Sequence, residues 1–192
     1  MTDAERTYAI NSAIEARKAC EEQSIIEKDK VKLTKDDVKK IIEFFGGQLL
    51  ESENNLEYLI KTEEEGFTIY YIDKDSEKTK ATSILAILNG FGKSFFQLES
   101  MNIDDIRVYS EDGLATTEDE KFSDSQIAEY FALEFMMPQD LFEQVSSQHV
   151  KDDVVNCKEV ANEFGVDCIY VIKKGSELDV FNPGPSYVKK YN

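Results

Sequence analysis

The chain has 192 residues, 41% hydrophobic and 11% aromatic, which is enough to bury one ordinary core and argues against a disordered chain. Its 39 acidic residues against 22 basic ones leave a net charge of −17, which repels phosphate backbones, disfavours direct nucleic-acid binding and favours basic protein partners. No apolar run reaches the roughly 20 residues of a bilayer span, and MTDAERTYAI lacks the basic-then-apolar order of a signal peptide, so the expected location is cytoplasmic with no membrane contact.

In chain order, Tyr8, Ile10, Ala13, Ile14 and Arg17 predict a charged helix with a thin apolar stripe, and EEQSIIEKDKVKL reads as a polar connector. Residues 1–33 are therefore expected as an appendage to a main domain over 34–192. Thr34 with Asp37 three residues on starts a short helix through Val38, Ile41, Ile42 and Phe45, stopped by Gly46-Gly47. LEYLI and GFTIYYID, around the acidic turn KTEEEG, predict paired strands with Phe67, Ile69 and Tyr71 on one face. Ile84, Leu88, Phe91 and Phe95 predict a helix over 82–98, although two glycines interrupt it and Asn89 and Lys93 form a polar face. IRVY at 106–109 adds a strand before the acidic loop SEDGLATTEDEKF.

Ser123 and Gln126 form a capping-box pattern for a helix carrying Ile127, Ala128, Phe131, Ala132, Phe135 and Met136, which Pro138 ends. Pro138 also suits the start of the next helix, with Leu141, Phe142 and Val145 inward. VVNCKEVANEFG and DCIYVIKKG predict two more short helices, each closed by a glycine, and SELDVFNPGPSYVKKYN is expected to be irregular. The resulting class is α+β: a mostly helical domain with a small β-sheet, plus an N-terminal helix. Cys20, Cys157 and Cys168 are an odd number without C-x-x-C spacing and read as ordinary thiols.

Three stretches in this order, ILNGFGKSFFQ, IAEYFALEFMMP and KEVANEFGVDCIYVIKKG, resemble the ImmA/IrrE-type metallopeptidases of bacteria and their mobile elements. That family has a helix of the form LAHELGHxLLH, a second of the form E-x-x-A-x-x-F-A-x-x-L-L-M-P, and a closing segment LAxxFGVS. Ala128, Phe131, Ala132, Met137 and Pro138 fit the second form, and Val160, Ala161, Phe164, Gly165 and Val166 fit the third. The first form is matched in apolar pattern and in Gly92. The resemblance covers about residues 36–178 and implies a zincin-like fold with a gluzincin-like zinc site.

The positions of that site hold other residues. An H-E-x-x-H helix places two imidazoles one turn apart on one zinc ion, with a glutamate to take a proton from the bound water. In register these positions are Asn89, Gly90 and Lys93, and the third ligand position is Ser125, or Ile127 if the register is read differently, neither of which supplies an anionic oxygen. An amide ligates zinc poorly, glycine accepts no proton, and an ammonium repels a divalent cation. The chain has one histidine, His149, expected as a solvated loop residue, so no two-histidine site can be assembled. The reading is therefore a pseudo-peptidase with no catalytic residue, no metal and no cofactor. Asn89, Gly90, Lys93 and Ser125 are vestigial positions, and Lys93 is expected to pair with a carboxylate from the 118–124 region.

Partner binding is assigned to Glu118, Asp119, Glu120 and Asp124, against the plainer reading of that loop as a solvated connection. In the resembled family the partners are often repressors of mobile elements with helix-turn-helix modules, which implies an antirepressor-type regulator that sequesters a basic DNA-binding protein. Inhibition of a nucleic-acid-binding host defence enzyme, with carboxylates standing in for phosphates, uses the same charge. A peptidase without zinc would need a nucleophile and base, and Ser94, Ser123 and Ser125 have only His149 to draw on. A structural role would use the N-terminal helix for homo-oligomerisation.

Overall fold

A computed structural model of the protein describes residues 2–51, 58–63, 66–71, 77–97, 106–109, 120–151 and 154–179. In order the elements are α1 (Asp3–Glu22), α2 (Lys35–Phe44), β1 (Gly47–Glu51), β2 (Tyr58–Glu63), β3 (Gly66–Tyr71), α3 (Glu77–Gln97) and β4 (Ile106–Tyr109). They continue with α4 (Glu120–Met136), α5 (Gln139–Gln148), β5 (Val150–Lys151), β6 (Val154–Val155), α6 (Cys157–Phe164) and α7 (Cys168–Glu177). The expected α+β class, mostly helical with a small sheet, is what is found. Among the described residues no helix is long and apolar enough to cross a membrane.

Helix α1 begins at a capping box, in which Thr2 Oγ1 accepts from the Glu5 N–H while Glu5 Oε2 accepts from the Thr2 N–H. It is no free appendage. Ala9, Ala13, Ala16 and Cys20 form its buried stripe and Tyr8 and Ile14 are exposed, so the inward face is rotated from the one the large side chains predict. The reason is close approach: a row of small residues at helical spacing lets α1 lie against α4. Arg17 is the one cation on that buried side, and its Nη1 donates to the Phe135 carbonyl at 2.6 Å.

Thr34 and Asp37 form the expected capping box of α2, and Lys30 adds an ion pair to Asp37 at 2.9 Å that ties the connector to the helix. The sheet has the order β1-β3-β2-β4, with β1 parallel to β3 and the other neighbours antiparallel. Phe67, Ile69 and Tyr71 are buried as expected, together with Leu49 of β1. β1 was not predicted, because GQLLE lacks β-branched and aromatic residues and owes its conformation to the distant partner strand.

Four boundaries differ from expectation. α3 starts at Glu77 rather than at 82, since EKTKA is made mostly of good helix formers although it carries no apolar signal. α4 starts at Glu120, which places Ser123 inside the helix instead of at its cap; an acidic residue in the first turn is favoured by the helix dipole. Val154 and Val155 pair with Lys151 and Val150 as strands rather than joining α6. Gly175 does not end α7, which runs through it to Glu177 with Gly175 buried. The expected irregular tail beyond 179 lies outside the described residues.

Candidate functional site

The polar face of α3 lies where that helix meets α4. Leu85, Leu88 and Phe91 anchor α3 in the core at helical spacing. On the neighbouring face Gly92 leaves little room for a side chain: a Cβ there would stand 3.0 Å from Phe131 Cδ1 and 3.2 Å from the Ala128 carbonyl oxygen. The two helices thus touch through Gly92, and aromatic rings lock the contact, with Phe131 5.5 Å from Phe91, 5.4 Å from Phe95 and 5.5 Å from Phe96 between centroids.

This packing changes the character of the residues singled out from the sequence. Lys93, on the polar face that the sequence predicts, is 6% exposed, and Gly90 and Gly92 beside it are buried. Asn89, one turn before Lys93, is half-buried. Ser94, also buried, donates its hydroxyl to the Gly90 carbonyl at 3.1 Å, a helical back-bond that leaves it spent as a donor to anything else.

Ser125 and Asp124 lie on α4 about one turn before Ala128, and Glu120 is its first residue. Positions 120, 124 and 128 recur at helical spacing along α4. Glu118 and Asp119 lie outside the described residues. His149 is at the C-cap of α5, 24% exposed, with Nε2 3.9 Å from Glu163 Oε1 of α6. It is packed between two helices rather than free in a loop.

A heavily buried ionic contact among the described residues was not anticipated: it joins α4 to α7. Glu134 and Lys174, 3% and 4% exposed, pair between α4 and α7. Pro138 stops α4, so the Gln139 N–H cannot continue the helix; it donates to Glu134 Oε1 at 3.0 Å, while the orphaned Phe135 carbonyl accepts from Arg17. Burial lowers the Arg17 pKa from its ordinary value, with Glu21 acting against that, and burial pushes the Cys20 thiol up to about 12. Beside this knot Lys173 pairs with Glu129 at 2.8 Å, and Arg6 and Lys173 both lie over the Tyr130 ring. A signal for Glu134 was present: it is a carboxylate inside the apolar run FALEFMMP, where only a paired charge is tolerated.

Residues 107–174, from β4 into α7, match the family model of the IrrE N-terminal-like domain (peptidase family M78). The match contains Ala128, Phe131, Pro138 and the Phe164-Gly165-Val166 turn, on which the resemblance rested, and it begins after α3. No curated protein matches the chain. Over this stretch, which includes the whole of α4 and the Glu134–Lys174 pair, the chain is similar to the IrrE N-terminal-like domain of the M78 peptidases.

Proposed function

We propose that the protein is a metallopeptidase-like domain without zinc chemistry, acting as an acidic protein-binding regulator of a phage or mobile element, of antirepressor type. The observation that carries the reading is the donor set. The positions that resemble the zinc ligands and general base hold Asn89, Gly90 and Lys93, and the single histidine of the chain belongs to the α5–α6 contact. These residues do not fit a zinc ion: one weak amide donor and a buried ammonium oppose a divalent cation. No hydrolytic step is derived from them.

The net charge of −17 supports a basic partner, and Glu118, Asp119, Glu120 and Asp124 are the proposed contact residues. Two measurements test the halves of the reading separately. Metal analysis of the purified chain is expected to find far less than the roughly one equivalent of zinc that a working site retains; a full equivalent would sink the pseudo-peptidase half. Replacing Glu118, Asp119 and Glu120 by their amides is expected to weaken capture of a basic helix-turn-helix repressor domain and to flatten its salt dependence. Unchanged affinity across salt would remove those residues from the interface.

A further inference from the structure

Helices α6 and α7 have the build of a helix-turn-helix. Eight residues lead to Gly165, whose φ of 70° belongs to the left-handed region, and a second helix of ten residues starts three positions later. Val160, Ala161, Phe164, Val166 and Val171 are buried and hold the pair together. A DNA-reading unit of this form presents the first turn of its second helix to base edges and sends cations to the phosphates. Here the cations of α7 are turned the other way, Lys173 to Glu129 and Lys174 to Glu134.

What the pair leaves exposed has the opposite sign. Glu159, Glu163 and Asp167 are exposed, with Lys158 the one basic residue among them. In the first turn of α7 stands Ile169, 64% exposed, the most exposed large apolar side chain among the described residues. We propose that this exposed side of α6 and α7 is a docking surface for a basic protein, with Ile169 at its apolar centre and Glu159, Glu163 and Asp167 at its rim. An apolar centre inside a charged rim is the anatomy of a protein interface, and carboxylates standing where a DNA reader carries cations complement a cationic surface and repel a phosphate backbone. The inference rests on the protein-binding reading above and gives it a surface distinct in sequence from residues 118–124.

The test uses the full chain and two probes, an amphipathic leucine–lysine helical peptide standing in for a basic helix and a short DNA duplex, read by fluorescence anisotropy. The peptide is expected to bind and the duplex not. Ile169→Ala should weaken the peptide about tenfold with no change of charge. Glu163→Gln with Asp167→Asn should weaken it and flatten its salt dependence, asparagine keeping an oxygen at the helix cap. Glu15→Gln with Glu43→Gln, an equal charge change at exposed sites on α1 and α2, should leave affinity within about twofold. Equal losses in the two charge pairs with Ile169→Ala silent, or binding of the duplex, would overturn this surface while leaving the protein-binding reading in place. Failure of the unaltered chain to bind the peptide would overturn both.

Discussion

Helix α4 is gripped on its two sides by different chemistry. Toward α3 the grip is aromatic: Phe131 packs edge-on or tilted against Phe91, Phe95 and Phe96, Phe135 meets Phe91 edge-on, and the helices approach through Gly92. Toward α1 and α7 polar contacts add to the small-residue packing of α1: Arg17 on the Phe135 carbonyl, Glu134 with Lys174, and Lys173 with Glu129. The first side depends on volume, the second on completeness, because a buried charge that loses its partner retains its desolvation cost. The comparison also bears on function. Glu134 and Lys174 are as buried as any catalytic pair, and their evident work is to hold α4, α5 and α7 together; burial of Lys93 alone therefore assigns it no chemistry.

The sharpest break of this comparison is on the polar side. Lys174→Met is expected to cost about 3 to 4 kcal/mol in urea unfolding, since Glu134 remains as an unpaired buried charge. Adding Glu134→Leu should recover part of the loss; a double variant no more stable than the single one would show that the pair is not what matters. Arg17→Met leaves the Phe135 carbonyl without its donor and is expected to cost about 2 kcal/mol. Cys20 reports on the same change. Its thiol, pushed up to about 12 by burial, should resist a thiol reagent near neutral pH and react faster once α1 loosens.

On the aromatic side the expected effect is smaller. Gly92→Ala forces a Cβ against Phe131 and the Ala128 carbonyl, and the overpacking, offset by the better helix propensity of alanine, should cost about 1 kcal/mol by thermal unfolding. A stabilised variant would mean that α4 yields easily there. An effect of the same size lies outside both contacts and calibrates them. Burial alone would raise the Asp37 pKa, but hydrogen bonds from Thr34 and Lys30 outweigh it and hold the carboxyl below the usual carboxylate range. Its contribution is thus fully present above the unfolded value of about 4 and is lost as pH falls through the depressed folded value. Asp37→Asn should remove about 1 kcal/mol at neutral pH and flatten the acid limb of the stability curve; an unchanged acid limb would exclude Asp37 from acid unfolding.

Much of the fold was legible because its signals are local. Thr34 and Asp37 announced α2, the repeat from Ile127 to Met136 announced α4, and Phe164-Gly165 marked the end of α6. Boundaries failed where the local signal was absent or ambiguous: EKTKA carries no apolar residue but Ala81, and Gly175 looks like a stop but is buried within α7. The site was legible in part. Asn89, Gly90 and Lys93 could be named from register alone, whereas neither the burial of Lys93 nor the contact of Gly92 with α4, between residues more than thirty positions apart, is visible along the chain.

By itself the amino-acid order determined the helical periods, the caps, the strong acidity and the presence of a single imidazole, since each is a property of composition or of residues within a turn or two of one another. Only the tertiary structure decided that α1 lies against α4 through alanines, that β1 joins β3 in parallel, and that Glu134 finds Lys174. Such pairings are settled by which buried donors, acceptors and charges would otherwise stand unsatisfied, and that is known only once the chain has closed on itself.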